Sequence, residues 1–170
     1  MAAVYHWTML QSWIAIIIAL FAIAVSLNQL RLGRFQQRVD LLFRMEGIFF
    51  ERLKAERAKA ARGILEGNFT DAEPVLDQFE TVAMLVNRKA LDAGMVKHTF
   101  FYWMNNYFEA CSAHIQRRQK EDPLYWKDLS RLVPQLRKLD ARQRGVSVSR
   151  PGTEQLNAFL VEELEETSPI

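Results

Sequence analysis

The segment WIAIIIALFAIAVSL, residues 13–27, decides how the rest of the chain is read. Residues 1–30 contain no Asp, Glu, Lys or Arg. A helix over 13–32 has roughly 20 residues, and at about 1.5 Å per residue it matches a hydrocarbon layer of roughly 30 Å. Tyr5, Trp7 and Trp13 stand on its N-terminal side, where aromatic rings favour the headgroup level, and Arg31, Arg34, Arg38 and Arg44 follow it. The positive-inside bias therefore predicts residues 1–12 outside, 13–32 as a transmembrane helix, and the rest in the cytoplasm. Arg31, Arg34 and Arg38 would then lie at the membrane surface, with anionic headgroups as their partner.

Two rival readings are weaker. Ala22-Ile23-Ala24 resembles a small-x-small cleavage site, but a signal peptide carries its positive charge before the apolar run, and here the charge comes after it. A core helix that is apolar on every face needs a large protein around it, and 170 residues leave room for one small domain.

The net charge of +2 conceals an asymmetry, with a basic stretch over 31–62 and an acidic end carrying Glu154, Glu162, Glu163, Glu165 and Glu166. The arginines form no stripe or motif of a nucleic-acid reader, so nucleic acid is not an expected partner. A lone Cys111 rules out an internal disulfide framework.

Beyond the apolar segment, Phe35, Val39, Leu42, Phe49 and Leu53 recur at three- and four-residue steps with no proline before Pro74. This spacing predicts one uninterrupted helix to about Leu65, so that 33–66 is a juxtamembrane extension of the span. Ala15, Ala19, Ala22, Ser26, Gly33 and Gly47 form a small-residue stripe that would let a second helix approach closely; the plainer alternative is that Ala is common in membrane spans and Gly33 marks a flexible join. Gly67-Asn68 ends the helix, and Thr70 with Glu73 reads as a capping box with Pro74 in the next first turn.

Further helices are expected over 71–89, 95–120 and from Pro123 onward, where Pro134 either kinks the helix or starts a short one to Arg144. Gly145 closes a bundle over 67–145. Residues 146–170 read as a Ser/Pro/Gly linker and an acidic amphipathic helix capped by Thr153 and carrying Leu156, Phe159, Leu160 and Leu164. Apart from the brief Val146-Ser147-Val148-Ser149 nothing alternates like a strand, so the fold class is all-α.

No constellation specifies a reaction. Cys111 and His114 share a helix face, but two ligands do not make a metal site, and no phosphate loop, nucleophile elbow or dinucleotide fingerprint occurs. No catalytic, cofactor or metal residue is therefore assigned. Glu80 and Glu109 sit among apolar neighbours, where a buried carboxylate would have a raised pKa, and the simpler reading is that each points outward or pairs with a basic side chain. Asn105-Asn106 reads as a helix-to-helix bond. The aromatics Phe100, Tyr102, Trp103, Tyr107 and Phe108 are either core or a recognition surface.

The run Leu76-Asp77-Gln78-Phe79-Glu80-Thr81-Val82-Ala83-Met84-Leu85-Val86, with Phe101-Tyr102-Trp103 and Asp122-Pro123-Leu124-Tyr125-Trp126, resembles bacterial DUF4760-type proteins over roughly 34–136. The resemblance implies a bacterial origin, one N-terminal anchor in the inner membrane and a helical cytoplasmic domain. It implies no activity and no catalytic role for Glu80, Tyr102 or Trp103. The expectation is a non-enzymatic accessory or assembly subunit that meets an integral membrane protein or another copy of itself. The alternative is a membrane-tethered sensor holding a ligand among its aromatic rings.

Overall fold

A computed structural model describes the backbone of residues 2–167 and the side chains of residues 20–166. Among these residues the fold is helical throughout, and it divides into two compact units, Met1–Asp40 and Leu41–Ile170.

The first unit is the N-terminal part of α1 (Ala2–Gly47). Here the expected transmembrane helix over 13–32, and with it the single-pass membrane topology, must be corrected. No helix among the described residues is long and apolar enough to cross a membrane. Among the described side chains the uninterrupted apolar run covers residues 20–25, about 9 Å at about 1.5 Å per residue against roughly 30 Å of hydrocarbon, and Ser26, Asn28, Gln29 and Arg31 follow it. The side chains of residues 13–19 lie outside the described residues.

The second unit begins with the last turns of α1, where the expected continuous helix does not persist. Ile48–Arg52 forms a π turn closed by the Leu53 N–H on the Ile48 carbonyl at 2.9 Å. α2 (Lys54–Glu66) follows and stops at Gly67, whose φ of 80° is the left-handed conformation glycine adopts without steric penalty. Thr70 and Glu73 do not form the expected capping box. Phe69–Ala72 is instead a 3₁₀ turn leading into α3 (Glu73–Asn87), with Pro74 in its first turn.

Asp92 caps α4 (Ala93–Ala110) by accepting the Gly94 and Met95 N–H groups. The helix expected over 95–120 breaks at Cys111, and α5 (Ser112–Glu121) resumes beyond it. Trp126 precedes α6 (Lys127–Arg144) with φ 45° and ψ 37°, a conformation that costs a bulky side chain about 1–2 kcal/mol. Burial of the ring and its N–H bond to Asp77 at 2.8 Å offset that strain. α6 runs through Pro134 and ends at Gly145, φ 66°.

α3, α4 and α6 pack on one another, and their shared interior holds Leu76, Phe79, Val82, Phe100, Met104, Leu129, Leu132 and Leu136. The folded part does not close at Gly145. After an exposed irregular stretch over 145–152, α7 (Thr153–Thr167) lies along α2 and touches α4, burying Phe159, Leu160 and Glu163. Gln155 reaches back to accept the Gly152 N–H, so the helix begins one residue earlier than a Thr153 cap would place it.

Candidate functional site

The chemistry-bearing side chains of the second unit gather where α7 meets the π turn, α2 and α4. Arg57 on α2 is buried, and its guanidinium lies 4.7 Å from the Phe49 ring centre and 5.3 Å from that of Phe50. It donates through Nε and Nη2 to the two oxygens of Glu163 on α7, at 2.8 and 2.5 Å. The same carboxylate accepts the Tyr107 hydroxyl at 2.7 Å and the Trp103 indole N–H at 3.0 Å. Burial works against the Arg57 charge, but the Glu163 bond and charge outweigh it and hold the guanidinium above its ordinary pKa. Burial next to the Glu163 charge pushes Tyr107 well above the phenol range, so its hydroxyl stays protonated and donates.

At the rim Tyr102 donates to Glu162 at 2.6 Å. Burial and that carboxylate push Tyr102 up to about 12. Phe159 closes the site edge-on, 5.5 Å from Tyr102 and 5.1 Å from Tyr107 between ring centres.

The aromatic candidates are thus mainly core. Phe100 and Tyr107 are fully buried, Trp103 and Phe108 pack against the core, and only Tyr102 is largely exposed. Trp103 sits edge-on to Phe50 at 4.8 Å. A groove of about 460 Å³ lies beside this cluster, between α4, α6, the 145–152 stretch and α7, with Tyr102, Asn105, Arg137, Arg144, Arg150 and Phe159 on its walls. Its charged groups are partly committed, with Arg137 bonded to Asn105 and Glu109, and Arg144 to Asp140.

The structure separates the other candidates and shows what each does. Glu80 accepts the Asp128 and Leu129 N–H groups at 3.0 and 2.7 Å, capping α6 from α3. Burial raises its pKa more than those amides lower it. Glu109 takes Arg137 at 2.8 Å. Cys111 is fully buried, which pushes its thiol up to about 12, and its thiolate is correspondingly scarce at neutral pH. His114 meets Glu73 through Nε2 at 2.9 Å and Arg117 through Nδ1 at 2.8 Å. Since a guanidinium can only donate, Nδ1 accepts and the ring carries its proton on Nε2. Both nitrogens are engaged away from Cys111.

Of the small-residue stripe, Ala15 and Ala19 lie outside the described side chains. Ala22 and Ser26 are exposed, with the Ser26 hydroxyl turned to the Ala22 carbonyl at 2.8 Å. A Cβ at Gly33 or Gly47 would meet no described atom within 4 Å, so neither glycine serves a close approach within the described residues. Arg31 and Arg34 are exposed and Arg38 is half-buried.

Glu163 was the residue the sequence reading missed. Its signal was present, because 156, 159, 160, 163 and 164 follow the i, i+3, i+4, i+7, i+8 row of one helix face, which puts Glu163 on the apolar side.

Fold and site together define an all-helical domain whose polar interior is spent on holding helices to one another. The profile of a domain of unknown function, DUF4760, matches residues 9–135, and the chain belongs to that family. No curated protein and no solved structure matches it.

Proposed function

We propose that this chain is a non-enzymatic accessory or assembly subunit that works by binding another protein. The observation that carries this reading is the exposed apolar surface of α1 in the first unit, where Leu20, Phe21, Ile23, Leu27, Leu30, Leu32 and Phe35 are all largely open. Large apolar side chains exposed in this number mark an interaction site on a protein surface. The second unit supports the reading from the other side. Its candidate acids and nucleophile are committed to structure, with Glu80 capping a helix, Glu163 and Glu109 each bonded to an arginine, and Cys111 buried.

The sensor alternative required space among the aromatic rings. Phe100 and Tyr107 are fully buried and the rings meet edge to face, which leaves the nearby groove, with its bonded arginines, as the remaining place for a small ligand.

The test is gentle purification of the full chain from its native source, followed by sizing and mass spectrometry. A partner at stoichiometric level is expected, lost when Leu27 and Phe35 are both changed to serine. A chain that sizes alone, and identically with and without those changes, overturns the proposal.

A further inference from the structure

We propose that the groove formed by the π turn, α2 and α4 is a docking site for an acidic amphipathic helix of a partner protein, and that α7 occupies this site in place of that helix. This rests on the reading of the chain as a protein-binding subunit and names the surface and the kind of partner.

Three independent observations lead to it. The first is the chemistry of the groove. Its walls are apolar and aromatic, but its floor carries the buried Arg57 cation, with the Tyr107 hydroxyl and the Trp103 indole N–H reaching the same carboxylate, the hydroxyl also lying 3.4 Å from the Arg57 carbonyl. One carboxylate meets all three donors at once, and an apolar helix without one would strand the guanidinium. The site therefore selects a helix with an acid on its apolar face, and α7 supplies Glu163 there, with Glu166 at 3.3 Å from Arg57 and Glu162 on Tyr102 at the rim.

The second observation is how α7 is attached. Residues 145–152 have no regular structure and are almost wholly exposed, so little besides the groove contacts themselves holds the helix in place. The third is the extent of the family match. Residues 9–135 take in Phe49, Arg57, Trp103 and Tyr107, whereas the helix that fills the groove lies beyond them. The match ends within α6, so the groove lies inside it and α7 outside it.

Displacement then follows from mass action. A tethered α7 competes at high effective concentration, so a partner helix must match the Leu156, Phe159, Leu160, Glu163 and Leu164 positions well enough to overcome the tether. When it does, α7 is freed as an acidic helix on an exposed stretch of chain.

The test uses the full chain and a fluorescein-labelled synthetic peptide of the sequence TEQLNAFLVEELEET, read by fluorescence anisotropy. A Phe159→Ala chain, in which the resident helix is weakened while Arg57 keeps its carboxylate, is expected to bind the peptide at least tenfold more tightly than the unaltered chain. A peptide with Glu163→Gln is expected to bind at least tenfold more weakly. An unrelated helical peptide keeping only Leu156, Phe159, Leu160, Glu163 and Leu164 at their spacings is expected to compete. Equal binding of the Glu and Gln peptides overturns the proposal, as does failure of the spacing-only peptide.

Hydrogen exchange on the unaltered chain provides a measurement that needs no variant. Amides of α7 are expected to exchange at least tenfold faster than those of α4, and equal rates would make α7 a permanent part of the core and overturn the proposal. A chain that dimerises, with the dimer dispersed by the peptide, would make a second copy the occupant and overturn the partner-protein reading. Loss of the Leu27- and Phe35-dependent partner with peptide binding intact would strike the assembly role alone, and the converse would strike the groove alone.

Discussion

Glu163 accepts from a guanidinium, a phenol and an indole within one buried site, which makes it the residue whose change should be felt most. Glu163→Gln leaves Arg57 buried beside a neutral amide, and removal of one partner of a buried pair costs about 3–5 kcal/mol. Chemical denaturation is expected to show that loss for Glu163→Gln and for Arg57→Met, and the double change to Gln and Met is expected to recover part of it. A double variant as unstable as the sum of the singles would mean that the two groups act independently. Cys111 offers a simpler check. Its burial and raised thiol pKa of about 12 leave it unreactive in the native state, so a thiol reagent is expected to label it at the rate of unfolding. At this scale the sequence was informative about which residues share a helix face and silent about partners far along the chain. His114 and Cys111 do lie three apart, but the ring is held by Glu73, which is 41 positions away.

Helices were legible where periodicity is long and strong, and their joints were not. α3 carries its apolar face where the spacing of Val75, Leu76, Phe79, Val82, Ala83 and Val86 puts it. The π turn, the break at Cys111 and the left-handed Trp126 answer to packing between elements, which no local pattern encodes. Two such joints give measurable consequences. Gly63 on α2 faces the Asn68 carbonyl and Asp71, where an added Cβ would lie 2.6 Å from the oxygen and 2.8 Å from the Asp71 Cβ. Gly63→Ala should gain about 1 kcal/mol in helix propensity, yet the clash with backbone is expected to make the net change destabilising by about 1–3 kcal/mol, read from the thermal midpoint. Glu80→Ala removes the cap that α3 provides to α6 and is expected to cost about 1–2 kcal/mol at neutral pH. Because burial raises the Glu80 pKa, the folded chain binds that proton more tightly than the unfolded one, and this group favours folding more as pH falls through its raised value. The variant should therefore lose stability more steeply on mild acidification than the unaltered chain.

For the chain as a whole, the all-α class was readable from the absence of strand patterning, and the membrane span was not supported, because the apolar run of described side chains is short. The acidic end looked like a tail because a linker of Ser, Pro and Gly precedes it, and only the position of Glu163 on its apolar face hinted at docking. Stability at alkaline pH integrates several groups in the second unit. Cys111, Tyr102 and Tyr107 all have raised pKa values in the fold, against ordinary values of 9.0 for the thiol and 10.0 for the phenols. The unfolded chain loses these protons first, so their contribution is fully present below about pH 9 and declines from there to about pH 12. Denaturation midpoints are expected to fall over that range, and a Cys111→Ala chain should fall less steeply. An identical slope would show that the thiol titrates normally.

The π turn at Ile48–Arg52 gives the reading frame one residue of slack. A wide turn holds one residue more than an α-helical turn does, so losing that residue lets the backbone close as ordinary α-helix with its flanks in phase, whereas deleting a single codon between Lys54 and Arg57 in α2 would turn the flanking residues about 100° out of phase. Phe49 and Arg57 would then no longer address the same groove. A one-codon deletion over 146–151, where the chain is exposed and irregular, leaves every helix in phase. Scanning single deletions along the reading frame should therefore find the start of α2 intolerant and 146–151 permissive.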